Sequence, residues 1–290
     1  MLERVLVPLD GSETAERVLP HLRRLLLGRS AEILLLRVLD ATSPDVSVMA
    51  PAYEAEAERY TRRLTFLLMN EGRRARAIVR PGGAAATILR VAREENVSLT
   101  VLSTHGRTGL SRLVIGSVAE TVLRASPSPV FLLRSFPPPI DGPSRGRTEN
   151  TPFHSILVPL DGSEHSLRVV PLVLDLVRPL DARVTLLYVH EPPGPNPHWL
   201  LPERPLEDVE RLLREHTVPV TTAVREGDPA AEILAACRTN AADLLVMATH
   251  GRSGPVRWLF GSVTENVLRA ADIPLLVVPA RAPKEAARPA

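Results

Sequence analysis

The sequence predicts an α/β protein made of two tandem doubly wound domains, each a parallel sheet of five strands with helices on both faces. Three observations point there. First, long segments recur: "STHGRTGLSRLVIGSVAETVLRA" (Ser103 to Ala125) returns as "ATHGRSGPVRWLFGSVTENVLRA" (Ala248 to Ala270), and "ERVLVPLDGSE" (Glu3 to Glu13) returns as "HSILVPLDGSE" (His154 to Glu164). Second, short runs that are apolar throughout alternate with segments of helical spacing, the pattern of a sheet buried on both faces. Third, hydrophobic residues make up 44% of the chain but aromatics only 3%, so the cores are built from Leu, Val, Ile and Ala. That composition suits helices packed on a branched-aliphatic sheet better than an aromatic-rich sandwich.

The first copy reads in order. "RVLVPL" is a strand, and "SETAERVLPHLRRLLL" follows at helical spacing with Ser12 as its N-cap. Pro20, and Pro171 at the matching place in the second copy, predict a kink in that helix. "EILLLRVL" is the second strand, "YEAEAERYTRRLTFLLMNEG" an amphipathic helix stopping at Gly72, and "ARAIVR" a weaker third strand. "AAATILRVAREENV" is a helix, "SLTVLST" the fourth strand, "SVAETVLRAS" a helix and "SPVFLLR" the fifth strand. Right-handed crossovers then wind the sheet in both directions. The copies are offset by 151 residues from Asp10 to Asp161, and by 145 from Gly106 to Gly251. The second copy is therefore six residues shorter between Val189 and Arg225. Residues 1–135 and 153–280 are the expected domains, joined by a Pro- and Gly-rich linker at 136–152.

The formal charge is +2 with no polybasic run, which argues against a nucleic-acid partner. A lone cysteine, Cys237, rules out an intrachain disulfide framework and fits a reducing compartment. The start "MLERVLVPLDGSE" lacks the charged and apolar regions of a signal peptide. No apolar stretch approaches the roughly 18 residues of a membrane span. A cytoplasmic protein is the expectation.

In a doubly wound sheet, ligands bind beyond the carboxyl ends of the strands where strand order reverses. Asp10 and Asp161 follow the first strand, and "STHG" and "ATHG" follow the fourth. If those strands are neighbours, both segments face one crevice. Glycines there allow close backbone approach, and Gly116-Ser117-Val118 and Gly261-Ser262-Val263 each open a helix whose free N–H groups suit phosphate. The plainer reading is an inert Gly-rich turn before a Ser-capped helix, with the aspartates as turn residues. The segment is neither a P-loop nor a GxGxxG fingerprint. His105 and His250 have no triad or metal-ligand spacing around them, and no paired carboxylates suit general acid–base work.

Each half resembles a universal stress protein domain, and the whole resembles a tandem universal stress protein. The likeness runs from first to fifth strand in both halves and rests on "PLDGS" together with "THGR…GSV". The family's nucleotide motif is G-x2-G-x9-G-[ST]. Gly106 and Gly251 match its second glycine, and Gly116-Ser117 and Gly261-Ser262 its end; Ser103 and Ala248 stand where it has its first glycine. The resemblance implies an adenine-nucleotide-hydrolase-like, flavodoxin-like fold and binding of ATP with Mg²⁺ as a regulatory ligand in a stress response. Asp10 and Val38, and Asp161 and Val189, would hold ribose and adenine. Ser103, Gly106, Gly116, Ser117 and Val118, and Ala248, Gly251, Gly261, Ser262 and Val263, would line the phosphates. It also implies that the apolar fifth strands, which single-domain members use to dimerise, pair antiparallel within this chain as a pseudo-twofold dimer of domains. A homodimer of whole chains would be separate. Two rivals stand. A slow ATPase or phosphotransferase needs a water-positioning group and cations, for which only Arg107, Arg112, Arg252 and Arg257 are near. A nucleotide-free interaction module is favoured by Ser103 and Ala248.

Overall fold

A computed structural model describes residues 2–40, 46–104, 115–134, 151–191, 204–249 and 261–279. The chain divides into two compact units, one holding Met1–Leu22 and Arg29–Ser135, the other Phe136–Ala280 with Arg23–Gly28.

In the first unit the elements run β1 (Arg4–Pro8), α1 (Glu13–Glu16), α2 (Val18–Leu25), β2 (Glu32–Leu39), α3 (Val46–Asn70), β3 (Arg74–Pro81), α4 (Ala84–Glu94), β4 (Leu99–Ser103), α5 (Ser117–Ala125) and β5 (Val130–Leu133). Its strands lie in the order β3-β2-β1-β4-β5, and each neighbouring pair is parallel. The second unit repeats this with β6 (Ser155–Pro159), α6 (Glu164–Leu167), α7 (Val170–Leu180), β7 (Arg183–His190), α8 (Arg204–Glu215), β8 (Val220–Glu226), α9 (Pro229–Thr239), β9 (Leu244–Ala248), α10 (Ser262–Ala270) and β10 (Leu275–Val278). Its order is β8-β7-β6-β9-β10, again parallel. The predicted fold class holds in both.

Uniformly apolar strands explain the burial. Leu6, Leu34, Leu99 and Leu132 are fully buried in the first sheet, and Leu157, Leu186, Leu244 and Leu276 in the second. Burying each such side chain contributes roughly 1.5–3 kcal/mol before chain entropy is counted. The third strand lies at one edge of each unit's sheet, and its alternation reflects that: Arg74, Arg76 and Arg80 mark β3, and Val224 on β8 is 68% exposed. Charge on an outer strand opposes pairing with stray chains.

The prolines act more strongly than a kink. Pro20 has no N–H for the Glu16 carbonyl, and its ring crowds that oxygen, so the helix ends at Glu16 and restarts at Val18. Pro171 does the same beyond Leu167. The second helix exceeds the predicted one: α3 begins at Val46 and runs 25 residues with Pro51 inside it.

Two further equivalences bear on stability. At the amino edge of the first sheet, the Ser98 hydroxyl accepts the N–H groups of Glu3 and Arg4 at 3.0 and 3.1 Å and donates to the Arg4 carbonyl at 2.7 Å. The matching residue of the second unit is Asp243, buried, whose carboxylate accepts the N–H groups of His154 and Ser155 at 3.0 and 2.9 Å. Past the second long helix, Gly72 has φ 76°. Its counterpart Thr217 holds φ 59°, a left-handed conformation that a β-branched residue resists. Thr217→Gly is therefore expected to raise stability by about 0.5–1 kcal/mol, relief of the backbone outweighing the glycine's added chain entropy. An unchanged or lower urea midpoint would contradict this.

Candidate functional site

The site begins with the turn after the first strand. Leu9 and Leu160 each continue the sheet by one bond, donating to Leu36 and Leu187 at 2.8 Å. The chain then reverses through Gly11 and Gly162, at φ 82° and 79°. Asp10 Oδ1 accepts from Ser12 N at 3.0 Å and Ser12 Oγ at 2.6 Å, and Ser12 Oγ caps α1 by accepting from Ala15 N at 3.1 Å. Asp161, Ser163 and Ser166 repeat this at 2.9, 2.7 and 3.1 Å. The predicted Ser12 cap is present. Each aspartate thus has a turn-forming role, through one carboxylate oxygen, at the carboxyl end of the central strand.

The glycine segment closes from the other side. β1 pairs with β4, and β6 with β9, so the two segments do share one end of the sheet. Gly116 N donates to Thr104 O at 2.8 Å, and Gly261 N to Thr249 O at 3.1 Å. These bonds bring the start of α5 and α10 back to the strand end they left. Gly116 and Gly261 are the N-caps, at φ −60° and −62°, and as glycines they make no side-chain cap bond. The helices open at Gly-Ser-Val as expected, and the plainer alternative of a Ser-capped helix does not hold: Ser117 and Ser262 are the first helical residues, one place too late to cap. The consequence is favourable for an anion. The amides that Ser12, Ser163 and Asp228 satisfy at other helices receive nothing from the cap residue here, which is glycine.

In the second unit these parts surround a crevice. Asp161, Val189, Ala248, Gly261, Ser262 and Val263 all line it. Leu160, Leu187 and Met247 add apolar wall, and Pro229 and Ile233 of α9 close another side. In the first unit Asp10, Val38, Ser103 and Gly116–Val118 occupy the matching strand ends and helix start. Gly106 and Gly251 fall outside the described residues, as do His105, His250, Arg107, Arg112, Arg252 and Arg257. Among the described residues, no three His, Cys, Asp or Glu side chains gather as a metal site.

Several lining residues escaped the sequence reading. Tyr188 and His190, on either side of Val189 on β7, and Glu191 just beyond the strand also line the crevice. Pro229 was findable in principle, because the loop after the third strand opens at the same end of a parallel sheet. The first unit carries Arg37 at the Tyr188 position. It is 6% exposed, and donates to Leu9 O at 3.4 Å and Tyr53 Oη at 3.2 Å, tying the Asp10 turn to α3. Near it, burial and the Glu16 carboxylate raise the Tyr60 hydroxyl pKa. Burial pushes the Cys237 thiol up to about 12, which leaves it protonated and a poor nucleophile at neutral pH.

Fold and site together define a pair of doubly wound α/β domains, with a crevice at the strand ends of the second that is lined by a glycine-capped helix start. The model of the universal stress protein family matches residues 1–134 and again 152–279, and the chain belongs to that family as a tandem member. It is 33% identical over 139 residues to universal stress protein MJ0531 of Methanocaldococcus jannaschii, covering 43% of this chain and 82% of that one. It is 30% identical over 191 residues to universal stress protein Rv2005c of Mycobacterium tuberculosis, covering 62% of this chain and 61% of that one. A crystal structure of a universal stress protein from Archaeoglobus fulgidus superposes with TM-score 0.78 over 97% of this chain and all of that one, at 21% identity, a likeness of fold. Among the described residues no helix is long and apolar enough to cross a membrane.

Proposed function

We propose that the chain binds ATP at the strand ends of each half, as a regulatory ligand in a stress response, with turnover incidental. One observation carries this reading. The second unit's crevice joins an apolar slot to a helix N-terminus whose cap residue is glycine, the combination that a base linked to a phosphate chain requires. Val189 and Ile233 would flank the base, Asp161 the ribose, and Gly261–Val263 the phosphates. Mg²⁺ would come with the phosphate oxygens, since the described residues supply no cluster to hold it alone.

Equilibrium dialysis of the full chain against Mg-ATP tests it. The expected result is saturable binding with a Kd of about 1–100 μM, and hydrolysis slower than about one turnover per minute. Absence of saturable binding up to about 1 mM would favour the nucleotide-free module. Multiple turnovers per minute, lost in Asp10→Ala/Asp161→Ala, would make the protein an enzyme.

A further inference from the structure

The two copies of the fold differ at one pair of positions in a way that singles out a further residue of this site. In the second unit Thr264, third residue of α10, is buried, and its hydroxyl donates to the carbonyl oxygen of Ala248 at 3.1 Å. Ala248 is the last residue of β9 and lines the crevice beside Gly261 and Ser262. In the first unit the same positions, 145 residues earlier, hold Ala119 and Ser103. At this pair of positions each unit carries one hydroxyl, on the helix in the second unit and at the strand end in the first.

Simple packing does not require it on the helix, because Ala119 is buried at that place in α5 with no hydroxyl. What the Thr264 bond adds is direction. Gly261 N to Thr249 O fixes one point of the returning loop on the strand end. Thr264 to Ala248 fixes a second point, on the other side of the strand's last peptide. Two anchors, three residues apart on α10, hold the intervening amides of Ser262 and Val263 at one orientation toward the crevice.

We infer that Thr264 is a positioning residue for the phosphate end of the ligand, and that Ser103 does the same duty from the strand side in the first unit. The inference rests on the nucleotide reading above. It concerns the phosphate end alone, because the base slot is built by β7 and α9 and does not depend on α10's orientation.

The test uses the full chain carrying Gly116→Val, so that the second site reports, with dissociation constants for ATP and for adenosine measured side by side. Thr264→Val is expected to weaken ATP about tenfold, the scale of one lost hydrogen bond, and to leave adenosine within about twofold. Thr264→Ser should bind as the parent does. Ala248→Ser/Thr264→Ala, which installs the first unit's pair, should recover ATP binding to within about threefold, whereas Thr264→Ala alone should not. Equal loss of ATP and adenosine, no loss in Thr264→Val, or no recovery in the double variant would each overturn the inference. A parent that binds neither ligand would instead remove the nucleotide reading and this inference with it, a failure visible before any change at position 264.

Discussion

Gly261→Val should remove ATP from the second unit, weakening it about 100-fold or more, while changing that unit's stability by no more than about 1 kcal/mol. The two halves of this expectation have separate causes. Gly261 sits at φ −62°, ψ 145°, an extended conformation that valine adopts readily. It is an N-cap with no side-chain cap bond to lose, so exchange for valine costs only the difference in cap preference. A backbone of positive φ is therefore not the reason for glycine here. The remaining reason is the space over the amides of Ser262 and Val263, which a branched side chain would fill. A ligand held by those amides must come within hydrogen-bond distance, about 3 Å. Retained affinity in a folded Gly261→Val chain would mean that the anion does not sit on α10. Gly116→Val is expected to act alike on the first unit, since Gly116 has the same conformation at φ −60°, ψ 144°.

Asp243→Ala should lower stability by about 2–4 kcal/mol, a loss of acceptors inside the sheet edge. The carboxylate takes the N–H groups of His154 and Ser155 at 3.0 and 2.9 Å, and the residue is 4% exposed. Alanine would leave both amides buried without that partner, each costing about 1–3 kcal/mol less whatever water recovers. The first unit supplies the control. Ser98 does this work with one hydroxyl, so Asp243→Ser should recover the part of the loss owed to the amides, but not the part owed to the buried Arg24 guanidinium 3.6 Å from the carboxylate. Urea midpoints for the three proteins decide it. A change under about 0.5 kcal/mol in Asp243→Ala would show that the bonds are dispensable.

Much of this fold is legible because the chain states it twice. Runs such as "EILLLRVL" leave no face for water, and β2 follows that run from end to end. Pro20 and Pro171 announce a disturbed first helix, and the missing amide turns it into a break. Other features depend on facts a linear reading does not carry. The start of α3 at Val46 hides in "VSVMAPA", whose proline reads as a loop although a helix tolerates it near its beginning. Ser117 and Ser262 look like caps, yet the bonds from Gly116 and Gly261 back to Thr104 and Thr249 set the boundary one residue earlier. Within the site, Asp161, Val189, Ala248 and Gly261–Val263 are named by local motifs. Pro229 and Ile233 join them only because β8 ends at the same rim, a consequence of parallel topology and not of spacing along the chain.

A crystal structure of the full chain with Mg²⁺ and a non-hydrolysable ATP analogue would locate the ligand. Phosphate oxygens are expected about 3 Å from the amides of Ser262 and Val263, with the base between Val189 and Ile233. Phosphates bound away from α10, or a crevice that stays empty at millimolar analogue, would contradict this.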